Sequence, residues 1–273
     1  MLSPSISKCA AFPSLFLLWV WLSLERLRQL LEVGYLSSRI WLPLATGKSL
    51  HPSIHLLCVV SLILSSYTDE NRLGYFFGSG GKPPPVGTLL PSSNSTPGGG
   101  ITWPRFVSNL SGAKLYNYAV SGAVCDNKQI YRFIESLAIP FPDVVYEVDA
   151  FIADSKYKNK TTGTNTLYTN RKSDNTVYSM WIGTNDLGAG AFLTDNSLNG
   201  VTIPDYVDCI FEKFDRIYKA GGRYFVLMNT APLELSPLYG KVAAGGLSAS
   251  KYWTDKVLFF PSLYTTDTVI FPT

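Results

Sequence analysis

Between residues 176 and 229 the chain reads strand, helix, strand. TVYSMWI (176–182) is a short β-branched and aromatic run, the pattern of a buried strand. Residues 204–220 place Val207, Ile210, Phe211, Phe214, Ile217 and Tyr218 along one side of a helix, with Pro204 in its first turn and Gly221-Gly222 at its end. RYFVLMN (223–229) is a second strand. Strands joined through a helix run parallel, because a tight hairpin cannot connect them. Other segments extend the alternation. IHLLCVVSLIL (54–64) and KLYNYAV (114–120) read as strands, and 103–110 and 142–153 as helices, the latter with Pro142 near its start. The expectation is an α/β fold with a doubly wound parallel sheet, whose ligands bind beyond the carboxyl ends of the strands.

Composition narrows the function. The 273 residues carry 23 Lys and Arg against 20 Asp and Glu, a net charge of +3 with no block of one sign. A nucleic-acid partner is not expected. With 14% aromatic and only 16% charged residues, the chain is neither disordered nor a coiled coil. The four cysteines (Cys9, Cys58, Cys125, Cys209) lack zinc-ribbon spacing, and no metal or organic cofactor is expected. His51 and His55 are the only histidines.

The first part of the chain reads differently from the rest. Residues 10–24 (AAFPSLFLLWVWLSL) are uncharged and apolar. Fifteen helical residues span about 22 Å, too short for a bilayer and suited to a signal-peptide core. No small-x-small cleavage site follows, so an ordinary apolar helix or an uncleaved anchor stays open. The expected division is 1–53 as a separate N-terminal segment and 54–273 as the α/β domain. Residues 78–100, with Pro83-Pro84-Pro85 and Gly98-Gly99-Gly100, read as a long surface loop.

Three short segments follow strand-like runs: Ser65-Ser66-Tyr67-Thr68-Asp69-Glu70-Asn71-Arg72, Ser121-Gly122-Ala123, and Gly183-Thr184-Asn185-Asp186. Each offers something acyl transfer needs. A serine at a strand-to-helix turn exposes a nucleophile. A glycine lets a backbone N–H approach a substrate oxygen unobstructed, and an asparagine amide adds a neutral donor. Such donors contribute about 3–4 kcal/mol each at a developing oxyanion. Singly, each has an ordinary reading: helix N-cap, turn glycine, Asx turn. Asp69, Glu70 and Arg72 read as helix-start acids with an ion pair rather than substrate contacts.

Together, SYTDENRLGYF, TWPRF, NYAVSGAVCDN and WIGTNDLG resemble the SGNH/GDSL esterases, and in particular the fungal acetylesterases of carbohydrate esterase family 16. The resemblance covers about residues 66–240. It implies a three-layer α/β/α, flavodoxin-like parallel sheet and hydrolysis of acyl esters, often acetyl groups on plant-wall sugars, without metal or cofactor. It implies Ser66 as nucleophile, with the Ser66 N–H, Gly122 and Asn185 as oxyanion donors. Trp103, in TWPRF, is read as a structural residue or a sugar-stacking wall.

The chain departs from the family in two places. Leu64-Ser65 stands where the family has Gly-Asp before the nucleophile. No histidine follows His55, so the Asp-x-x-His that supplies the general base is absent; Leu258 and Ile270 stand three residues after Asp255 and Asp267. The expected fold is therefore C-terminally incomplete. The alternative function is a catalytically inert carbohydrate-binding relative. His51 reads as a loop residue and His55 as an ordinary strand residue. Sequons at Asn94, Asn109 and Asn159 favour a secreted, glycosylated protein, and a monomer is expected. Cys125 and Cys209 either pair or stay free.

Overall fold

The computed structural model describes residues 58–60, 68–94, 96, 99–228, 230–240, 242 and 269–272. All belong to one unit, Ile54–Thr273. The apolar run 10–24, His51, His55 and Ser66 lie outside the described residues.

The architecture is mixed α/β. A four-stranded sheet runs in the order β1 (Cys58–Val60), β4 (Thr176–Met180), β5 (Tyr224–Leu227), β6 (Val269–Pro272). β1, β4 and β5 are parallel, in the registers Val59↔Val177 and Tyr178↔Phe225. β6 pairs with β5 antiparallel, Phe225 opposite Phe271, so the sheet is not purely parallel as expected. A small antiparallel hairpin joins β2 (Phe133–Ile134) to β3 (Ile139–Pro140) through a 3-10 turn at Glu135–Leu137.

Four α-helices are described: α1 (Arg72–Gly78), α2 (Trp103–Ser111), α3 (Val144–Lys156) and α4 (Ile203–Lys219). Their ends follow local chemistry. The Thr102 hydroxyl accepts from Arg105 N, Pro104 sits in the first turn, and Gly112 closes α2 at φ 70°. Asp143 caps α3 by accepting from Tyr146 N at 3.0 Å. At α4, Thr202 N donates to Asp205 Oδ2 at 2.7 Å in a capping box.

The core forms where α3 and α4 meet the sheet and each other. Phe151 of α3 packs edge-on to Tyr178 of β4, and Phe214 of α4 to Phe225 of β5. Arg216 and Asp149 form an ion pair across the two helices. The buried face of α4 is Tyr206, Cys209, Ile210, Lys213, Phe214 and Ile217, while Phe211 and Tyr218 are exposed. At about 100° per residue, the apolar stripe read from the sequence is wider than the buried face. Cys125 and Cys209 form a disulfide, with Cα atoms 6.4 Å apart.

Residues 114–120 are a correction. They are largely buried, as a strand would be, yet form no strand. Two of their backbone N–H groups donate to side chains: Val120 N to Glu147 Oε1 at 2.8 Å and Ala119 N to Asn117 Oδ1 at 3.0 Å.

Candidate active site

The segments after β1 and β4 and the 121–125 turn meet through hydrogen bonds between side chains and backbone. Asp69 receives three N–H groups: Arg72 and Leu73 at the start of α1, and Ser121 at 2.7 Å. Its carboxylate thus both begins the helix and anchors the turn bearing Gly122. Burial nonetheless raises its pKa. Asn185 Nδ2 donates to Ala123 O at 2.9 Å, and Cys125 N donates to Asp186 Oδ1 at 2.7 Å. Gly122 and Asn185 therefore lie on turns tied directly to one another. The third predicted residue, Ser66, lies outside the described residues.

Both turns rely on glycine. Gly122 has φ 91°, and a Cβ there would sit 2.8 Å from Phe141 Cζ. Gly183 has φ 120°, and a Cβ would meet Tyr206 Oη at 2.4 Å and Thr230 Oγ1 at 2.7 Å. Gly183→Ala is expected to lower stability by about 3 kcal/mol, from backbone strain plus overpacking. Denaturant unfolding checks this; a variant unfolding with the wild type would refute it.

Asn185 lines a cavity of about 350 Å³ together with Arg132, Thr184, Ala189, Ser236 and Tyr239. The Arg132 guanidinium donates to the Gly122 carbonyl and lies over the Phe141 ring. Ala189 N donates to the Tyr239 hydroxyl at 3.0 Å, which fixes the rim beyond Asn185.

Beneath the turns lies Asp186, fully buried, with Oδ2 lacking a hydrogen-bond partner among the described residues. Burial pushes its pKa up to about 7, against the opposing pull of the Cys125 N–H and the Arg132 charge. Glu147 is likewise buried and raised, chiefly by desolvation. Sequence reading quoted Asp186 but gave it no role, and it missed Arg132 and Glu147. The one local signal was an acid directly after Asn185.

Glu70 is held by Arg105 of TWPRF, Nε at 3.0 Å and Nη2 at 2.7 Å, an ion pair that joins the start of α1 to α2. Arg72 is buried and donates to the Tyr146 hydroxyl, its guanidinium over the Tyr118 ring. Trp103 is half-buried, its indole N–H enclosed without an acceptor among the described residues. Among these residues, no group of three or more His, Cys, Asp or Glu is arranged to hold a metal, and no helix is long and apolar enough to cross a membrane.

No family model matches the chain. Two curated homologues are acetylesterases. One, from Hypocrea jecorina, is 40% identical over 200 residues, 73% of this chain and 55% of the relative. The other, from Thermothelomyces thermophilus, is 28% identical over 202 residues, 71% of this chain and 62% of the relative. The chain thus spans less than two thirds of the length of each of these relatives.

Proposed function

We propose that this chain carries the nucleophile and oxyanion hole of an SGNH/GDSL-type serine ester hydrolase, related to carbohydrate esterase family 16, that removes acetyl groups from carbohydrate. The observation that carries this reading is the tie between the Gly122 and Asn185 turns, with Asn185 lining a cavity. Homology to two acetylesterases supports it independently. The three-layer α/β/α arrangement belongs to the same reading.

In this mechanism Ser66 Oγ attacks the acetyl carbonyl as its hydroxyl proton passes to solvent or to an added base, which returns one to the departing sugar oxygen. The negative charge on the carbonyl oxygen is met by the Ser66 and Gly122 N–H groups and by Asn185 Nδ2. Collapse expels the sugar alkoxide, which takes up a proton, and leaves acetyl-Ser66. Water then attacks the acyl carbon, releasing acetate and restoring the serine. Asn185 suits the role: one amide hydrogen is committed to Ala123 O, which aims the rest of the group. The Cys125–Cys209 bond and the three sequons support a secreted glycoprotein.

A histidine base is absent after His55, so the test supplies one. Exogenous imidazole is expected to raise hydrolysis of p-nitrophenyl acetate by the wild-type chain about 100-fold, the low end of general-base catalysis. Ser66→Ala in the same buffer reports the background from imidazole alone and is expected to show no such rise. Equal rates from the two proteins would overturn the reading and leave the inert carbohydrate-binding relative.

A further inference from the structure

The hairpin that supplies Arg132 to the cavity turns two aromatic rings the other way. Arg132 and Ile134 point inward: Ile134 is buried, and Arg132 reaches the Gly122 carbonyl. The alternation of an extended segment then directs Tyr131 and Phe133 outward. They are 58% and 36% exposed, with rings 6.2 Å apart and 21° from parallel. No hydrogen bond to the Tyr131 hydroxyl occurs among the described residues.

We propose that Tyr131 and Phe133 form a platform on which the sugar chain of the ester substrate stacks. The naming of a sugar chain rests on the acetylesterase reading above; the platform itself rests on four observations. First, the two rings present near-parallel faces, the geometry that receives the apolar face of a pyranose ring, as aromatic side chains receive flat partners generally. Second, the platform is held in advance. Arg132 N donates to Asn127 Oδ1 at 3.1 Å, Phe141 N to Arg132 O at 2.9 Å, and Asn127 Nδ2 to Phe141 O at 2.6 Å. Binding therefore has little backbone to order.

Third, the neighbours are polar. Lys128, Glu135 and Ser136, close to the rings in sequence, are exposed and offer donors and acceptors to sugar hydroxyls. Fourth, the apolar area is small. Two aromatic side chains bury about 150–250 Å² each when fully covered, well below the roughly 800 Å² per partner of a stable protein interface. A narrow glycan fits that area and a second protein does not. Tyr131 and Phe133 flank Arg132, which lines the cavity, so the platform and the cavity share one segment of chain.

The experiment is a calorimetric titration of the full chain with acetylated xylo-oligosaccharide, a β-linked sugar chain, in wild type, Y131A/F133A and S66A. Wild type is expected to bind saturably, and Y131A/F133A about tenfold more weakly, the combined worth of two aromatic contacts. Y131W/F133W keeps the faces and is expected to retain binding, which separates loss of stacking from loss of fold. S66A is expected to bind as wild type does, so failure of the hydrolase reading would leave this result standing. Absence of saturable binding by wild type, or equal affinity in Y131A/F133A, would overturn the platform. So would concentration-dependent dimerisation in sedimentation that Y131A/F133A abolishes, because the rings would then serve a second copy of the chain.

Discussion

Removing the Cys125–Cys209 bond is expected to destabilise the domain by about 4 kcal/mol. The two cysteines are 84 residues apart, and in the chain-entropy account the stabilisation grows with the logarithm of the closed loop. Both half-cystines are buried, so the reduced form gains no solvation in the folded state. The bond also fixes the 121–125 turn to α4. Cys125 N is the donor to Asp186, so the same cut loosens the contact beneath Asn185. Guanidinium unfolding of C125A/C209A beside the oxidised wild type measures the loss. An increased dependence on denaturant is expected too, because the uncrosslinked unfolded chain exposes more surface. Coincident midpoints would refute the prediction.

Asp186 is expected to make the protein less stable as pH rises from about 4 to about 8. Its pKa is 3.8 when exposed and about 7 when folded. In that window the unfolded chain has released the proton and the folded chain keeps it. The folded state therefore binds more protons, and stability falls with rising pH until the folded carboxyl also ionises. At 1.36 kcal/mol per unit, the shift is worth about 4 kcal/mol. Asp186→Asn keeps an oxygen for Cys125 N–H and removes the titration. Its stability profile is expected to be flatter than that of the wild type by this amount, with the other buried acids, Asp69, Asp143, Glu147 and Asp154, common to both proteins. Parallel profiles would refute it. The consequence for the site is direct: charge on Asp186 appears one residue from Asn185, with the Arg132 charge acting on it.

Much of the fold was legible because its signals are local. Pro204 marks the first turn of α4 and Gly221-Gly222 its end, and Pro142 stands just before α3. The strands β4 and β5 follow from apolar runs bounded by turn residues. The order β1-β4-β5 and the antiparallel β6 were not legible, since pairing depends on partners far along the chain. Residues 114–120 show the same limit. Their pattern is that of a strand, but Glu147 and Asn117 accept from two of their N–H groups, and neither acceptor is visible from hydrophobic periodicity.

The candidate site divides in the same way. Gly122 and Asn185 were singled out in the sequence by residue type, by their places at turns and by the family resemblance. What brings them together is tertiary: Asp69, Ala123 and Asp186 join segments 52–62 residues apart. Residue type alone determined that a donor-rich turn exists at each position. Only packing decided that Asp186 is desolvated, that Arg132 reaches Gly122 while its neighbours face solvent, and that Cys125 meets Cys209. Burial and long-range contact set these properties, because desolvation and side-chain geometry depend on what surrounds a group rather than on what precedes it in the chain.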